Sequence, residues 1–175
     1  MLHINIEIKA KCLNPEKIRR ILKSKKAEFK GIDHQVDTYF KVNRGRLKLR
    51  EGKIENYLIY YDRENKKGPK QSSVILFKTQ PKSSIKEILT KSLGVIVVVD
   101  KKREIYFIDN VKFHIDKVKG LGNFMEIEAI DDKGNIGKQK LTNQCSFYLD
   151  LFGVSKKDLI PESYSDLIKV IGNKF

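Results

Sequence analysis

Hydrophobic and polar positions alternate with a period of two at the start of the chain. Leu2, Ile4, Ile6, Ile8 and Ala10 fall on one side; His3, Asn5, Glu7, Lys9 and Lys11 fall on the other. Alternation over ten residues predicts a strand with two unlike faces. Asn14-Pro15 then predicts a helix start with the apolar stripe Ile18, Ile21 and Leu22. Strand-like runs follow at Val36–Phe40, Arg46–Arg50, Tyr57–Tyr61 and Ser73–Phe77, with a turn at Asn43-Arg44-Gly45 and a polar loop from Glu64 to Gln71. Pro81 is expected to open a second helix with the stripe Ile85, Ile88, Leu89. Val95–Ile108, Val111–Val118 and Phe124–Ile130 read as three more strands. Leu141, Cys145, Tyr148, Leu149 and Phe152 recur at helical spacing, and a short helix around Asp166–Ile171 closes the chain.

These patterns predict about eight strands in hairpin order with interposed helices. The expected class is α+β, an eight-stranded antiparallel β-barrel with helices packed outside, as a single domain over 1–175. Closing the sheet removes its free edges.

Charge changes the picture. Lys and Arg outnumber Asp and Glu by 36 to 22, a net +14, which points to an anionic partner. Within strands the charges recur at every second residue: Glu7, Lys9, Lys11; Arg46, Lys48, Arg50; Lys101, Arg103; Glu126, Glu128. The opposite faces are apolar. An ordinary half-buried sheet with a solvated face would alternate in the same way, but several almost purely ionic faces together point to a charged barrel interior. Buried unpaired charge is costly, so such an interior calls for ions, water or a ligand. Arg and Lys suit phosphate oxygens, and carboxylates two apart on one strand suit a hard cation such as Mg2+ or Mn2+. The acidic groups argue against a nucleic-acid groove, and a basic face with stacking aromatics is not evident.

Two widely separated cysteines, Cys12 and Cys145, exclude a disulfide framework and a zinc finger. The charged, alternating N-terminus does not read as a signal peptide, and the longest apolar run, Val95–Val99, is too short to span a bilayer. The expected setting is the cytoplasm, with no membrane partner.

The motifs stand in an order that resembles the CYTH superfamily, the triphosphate tunnel metalloenzymes, which include class IV adenylate cyclases and thiamine triphosphatases. Asn5-Ile6-Glu7-Ile8-Lys9 is similar to that family's ExExK strand. Gln35–Phe40, Arg46–Glu51, Lys101-Lys102-Arg103, Asp116–Gly122 and Phe124–Glu128 follow, and Ser163–Leu167 is similar to the tail of the cyclase branch. The resemblance covers essentially the whole chain. It implies an eight-stranded tunnel in which Lys9, Lys48, Arg50, Arg63, Lys101 and Arg103 grip a triphosphate. By the same resemblance Glu7, Glu126 and Glu128 hold Mg2+ or Mn2+, and Lys9, Arg103 and Asp116 serve catalysis; Arg63 and Asp116 rest chiefly on the resemblance. Lys11, Arg46 and Lys78 share inward parity, and His114 shares the parity of Asp116.

One departure stands out: Asn5 occupies the position of the family's first Glu, keeping an oxygen acceptor but losing a charge. The implied substrate is ATP or another triphosphate compound, and the implied reaction is cyclisation of ATP to cyclic AMP and pyrophosphate. Hydrolysis of tripolyphosphate, thiamine triphosphate or a nucleotide is the alternative. A non-catalytic polyanion binder is a further reading, and a homodimer is left open.

Overall fold

The computed structural model describes residues 2–172, and side chains from Ile4 onward; the facing of Leu2 and His3 therefore lies outside the described residues, as do the last three residues of the expected domain. Eight strands form one closed barrel. They are β1 (Leu2–Lys11), β2 (Glu28–Phe40), β3 (Arg46–Glu51), β4 (Tyr57–Arg63), β5 (Lys70–Lys78), β6 (Val95–Ile108), β7 (Val111–Val118) and β8 (Gly122–Asp131). Their order around the barrel is β1-β5-β4-β3-β2-β6-β7-β8, with each pair antiparallel. Four α-helices accompany them: α1 (Pro15–Ser24), α2 (Ile85–Leu93), α3 (Lys138–Phe152) and α4 (Tyr164–Gly172).

Local chemistry sets the boundaries. The Asn14 side chain accepts from the Lys17 backbone N–H at 3.0 Å, so Asn14 caps α1 and Pro15 takes its first position. β2 runs well upstream of the expected Val36 start because the 14-residue β6 pairs along its length, from Glu28↔Phe107 to Phe40↔Val95. Pro81 does not open α2; the helix begins at Ile85, and its stripe residue Ile88 is largely exposed. The expected stripe in α3 does bury Leu141, Cys145 and Phe152.

The outer faces of β1, β7 and β8 carry the main core. Ile6, Ile8, Phe113, Ile115, Met125 and Ile127 pack there against Ile18 and Leu22 of α1 and Leu141, Cys145 and Phe152 of α3. Each fully buried side chain of this kind contributes about 1.5–3 kcal/mol of hydrophobic transfer. With the outer face fixed by that burial, strand alternation obliges the polar set to point inward. A second apolar cluster lies within and above the barrel, where Val99, Val118, Phe124 and Tyr164 meet Tyr39, Tyr61 and Val74.

Candidate active site

The barrel interior encloses a cavity of about 280 Å³. Lys9 of β1, Lys48 and Arg50 of β3, Arg63 of β4, and Lys101 and Arg103 of β6 all line it, together with Glu7, Glu126 and Glu128. These nine are all the residues assigned above to substrate and metal; Asp116, assigned to catalysis, is not among the lining residues. The remaining inward-parity candidates separate: Arg46 bonds Asp166 of α4 at 3.0 Å, while Lys11 and Lys78 are exposed.

Asp37 organises one wall. Its carboxylate accepts from Arg50 Nε and Nη2, both at 2.9 Å, from Lys48 Nζ at 2.9 Å and from Lys101 Nζ at 2.8 Å. Burial alone would raise its pKa; Arg50, Lys101 and Lys48 override that and hold it well below the usual carboxylate range. Lys101 is itself fully buried. Burial, aided by repulsion from Arg50, Arg103 and Lys48 and opposed by Asp37, brings its pKa down to about 7.

Arg103 organises the adjoining wall, on β6 beside β2. Its Nε and Nη2 bond the two Asp116 oxygens at 2.7 and 2.5 Å, and Nη2 also reaches Glu126 at 2.8 Å. The Tyr164 hydroxyl donates to Asp116 at 2.7 Å. Asp116 thus lies behind Arg103, its oxygens taken, and its place is that of an orienting partner. Glu126 is further bound by Lys9 at 3.3 Å and His114 Nδ1 at 3.0 Å. Burial and Arg103 lower the His114 pKa to about 4, so the ring is neutral at pH 7 and its Nδ1 donates to the carboxylate. Lys9 also lies 3.9 Å from the Tyr164 ring centroid.

The floor contains residues that motif and parity did not single out. Glu55, in the β3–β4 loop, accepts from Arg50 Nη1 at 2.8 Å, from Gln35 at 2.9 Å and from Lys112 of β7. Lys112 has the inward parity of His114 and Asp116, a signal that could have found it. Tyr57, Ile59, Leu76, Phe107 and Ile130 give the cavity an apolar side.

Seven basic and five acidic side chains line the cavity, a formal excess of two basic groups. Arg63 pairs with Glu7, yet its Nε and Nη2 are buried with no hydrogen-bond partner. Orphaned buried donors are expensive, and an anion in the cavity would satisfy them.

The acidic side fits a hard cation by its donor set. Glu7 and Glu128 are direct cross-strand partners of β1 and β8. Burial, reinforced by Glu7 and Glu126 and opposed by Lys112, pushes the Glu128 carboxyl up, a cost that added positive charge would relieve. Asn5 is buried and donates to Glu128, while its Oδ1 has no partner and is available as a further oxygen ligand. In this conformation Glu7 turns to Arg63 and Glu126 to Lys9 and Arg103, while Glu128 accepts from the Asn5 amide, and no group of three or more His, Cys, Asp or Glu among the described residues converges to metal-binding geometry.

The CYTH domain pattern matches residues 3–164. The chain belongs to the CYTH domain family. This CYTH protein is 31% identical over 180 residues to a protein of Methanocaldococcus jannaschii named "Putative adenylate cyclase MJ0240", covering 94% of this chain and 98% of that one. Among solved structures, PH1012 from Pyrococcus horikoshii OT3 superposes with a TM-score of 0.79 at 26% identity, over 93% of this chain and 98% of that chain. A Hippeastrum protein described as "Putative adenylyl cyclase HpAC1", with a dominant triphosphatase activity, shares the fold at 13% identity and TM-score 0.60, covering 98% and 97% of the two chains. No helix among the described residues is long and apolar enough to cross a membrane.

Proposed function

We propose that the tunnel binds the polyphosphate chain of ATP and, with Mg2+ or Mn2+, forms cyclic AMP and pyrophosphate. The observation that carries this reading is the surplus of cationic groups around one cavity, with two buried Arg63 donors left for an anion. The apolar side at Tyr57, Phe107 and Ile130 favours a substrate with an organic group over bare tripolyphosphate, and the M. jannaschii relative's name agrees with it.

In this reading Arg50, Lys48, Lys101, Arg63 and Arg103 hold the phosphates as the ribose 3′-oxygen attacks the α-phosphorus and pyrophosphate departs. Arg50 and Arg103 arrive pre-oriented by Asp37 and Asp116, so their charges need no reorganisation as negative charge develops. Lys9, which lies close to Glu126 and to the Tyr164 ring, contacts a phosphate oxygen in this reading. Glu7, Glu126 and Glu128, with the Asn5 carbonyl oxygen, would hold the divalent cation, which supplies charge neutralisation at the phosphates.

Hydrolysis is the second reading, favoured by the dominant triphosphatase activity described for the Hippeastrum protein of the same fold. Incubation with Mg2+ or Mn2+ and separately with ATP, tripolyphosphate and thiamine triphosphate separates the two. Cyclic AMP with pyrophosphate supports cyclisation, and orthophosphate supports hydrolysis. No turnover, with binding of long polyanions that weakens steeply with salt, would replace both by a binding role.

A further inference from the structure

Of the five acidic side chains lining the cavity among the described residues, four project from strands: Glu7, Asp37, Glu126 and Glu128. Glu55 alone comes from a loop. It reaches Arg50 of β3 and Lys112 of β7, strands that lie three places apart in the barrel order. One carboxylate therefore ties together two cations from separate walls of the tunnel.

The loop is held from behind. Asp33 of β2, fully buried, accepts backbone N–H groups from Lys53 at 2.7 Å, Ile54 at 3.1 Å and Glu55 at 3.0 Å. Gln35 donates to Asp33 at 3.0 Å and to Glu55 at 2.9 Å, linking the anchor to the carboxylate. Gly52 makes the approach possible: a Cβ there would stand 2.4 Å from Asp33 Oδ2. Asp33 itself is not among the residues lining the cavity. Its carboxylate serves the loop.

The consequence for Arg50 can be counted in donors. A guanidinium has five N–H groups. One at Nε and one at Nη2 go to Asp37, and one at Nη1 goes to Glu55. The remaining donors have their directions fixed before any ligand arrives.

We propose that Glu55 is a positioning residue and fixed internal counter-ion, which sets the orientation of Arg50 and Lys112 while neutralising part of their attraction for substrate. The inference rests on the cavity being a polyphosphate cradle. It assigns Glu55 a trade-off: weaker ground-state binding in exchange for oriented cations in the transition state.

The test is a calorimetric titration of wild type, Glu55→Gln, Gly52→Ala and Glu55→Asp with inorganic tripolyphosphate, alongside ATP turnover in Mn2+. Glu55→Gln removes the counter-charge, so tripolyphosphate should bind about fivefold or more tightly while kcat falls about tenfold. Gly52→Ala alters no charge but forces the loop off Asp33, and should shift both quantities in the same directions by a smaller factor. Glu55→Asp keeps the charge on the anchored backbone and should recover part of the turnover. Loss of structure alone would not tighten binding as turnover drops. Unchanged or weaker binding by Glu55→Gln, beside a wild type that binds and turns over, overturns the role of Glu55 alone. A wild type that neither binds tripolyphosphate nor turns over ATP overturns the cradle reading and this inference with it.

Discussion

Arg103 and Asp116 face each other directly across β6 and β7 and close a two-pronged ion pair, Nε to Oδ1 at 2.7 Å and Nη2 to Oδ2 at 2.5 Å, with both residues buried. The register of two antiparallel strands thus decides where a guanidinium stands inside the tunnel. Asp37 and Arg50 repeat the arrangement across β2 and β3, again as direct partners. In each pair a carboxylate anchors a cation whose remaining donors are directed by the fork.

From this pairing, Asp116→Asn should cost about 3 kcal/mol of stability, because a buried charge loses its partner. Turnover should fall more than binding, since Arg103 keeps Glu126 as a neighbour but loses its fixed orientation. Urea unfolding and steady-state kinetics on the same preparation measure both. A stability change below about 0.5 kcal/mol would show that the fork is not what holds Arg103 in place.

Glu126 and Glu128 should behave differently despite lying two apart on one strand face. Glu126 is an anion bound by Lys9, Arg103 and His114, so Glu126→Gln loses fold stability as well as any metal role. The Glu128 carboxyl is already pushed toward its neutral form by burial and by Glu7 and Glu126. Glu128→Gln should therefore leave the unfolding midpoint unchanged or higher, yet raise the Mn2+ concentration for half-maximal turnover about tenfold or more. Full activity at the wild-type Mn2+ level would remove Glu128 from the cation site.

Lys101 gives the pH dependence. Its folded pKa of about 7 lies below the 10.5 of an unperturbed lysine. Between those values the unfolded chain binds more protons than the folded one, so this group makes stability rise with pH from about 7 to about 10.5. A phosphate bound beside Lys101 would restore its charge. Tripolyphosphate binding at pH 8 should accordingly take up about one proton, seen as a calorimetric enthalpy that changes with buffer ionisation heat. Lys101→Met should abolish that uptake; an uptake unchanged in the variant would assign the proton elsewhere.

The charged interior was legible where ionic residues alternate with aliphatic ones. Lys48 and Arg50 around Leu49, and Glu126 and Glu128 around Ile127, declare two faces, and the burial of Leu49 and Ile127 fixes which turns inward. Tyr57–Tyr61 is apolar on both faces, so alternation could not reveal that Tyr57, Ile59 and Tyr61 form the apolar side of the cavity. Glu55 lies in a loop with no period; its partner Arg50 is only 5 residues away, but Lys112 is 57 residues away, and only the folded barrel brings it to the same carboxylate. Asp37 was visible within a motif, but its three cationic partners come from β3 and β6, which sequence spacing does not show as neighbours of one carboxylate. Asp116 is inward as its motif implied, although its oxygens serve Arg103 and Tyr164 rather than the cavity surface.

Asn5 supplies the last prediction. Water at a tunnel mouth does not screen it: the residue is 2% exposed, its Nδ2 donates to Glu128, and its Oδ1 has no partner. It stands two residues from Glu7 on the same strand face, and both line the cavity. Replacing Asn5 by Glu adds a carboxylate where Glu7, Glu126 and Glu128 already lie close. Without metal the new charge crowds the existing carboxylates and raises the cost already felt by Glu128, so Asn5→Glu should lose about 1–2 kcal/mol of stability in metal-free buffer. With Mn2+ the same charge attracts the ion, and half-saturation should fall by about fivefold or more, on the order of 1 kcal/mol. Turnover should rise at limiting metal and converge at saturation. Titrating Mn2+ against both proteins, with unfolding measured at each end of the titration, decides the matter. Equal half-saturation points would place Asn5 outside the cation's reach and make its bond to Glu128 the whole of its role.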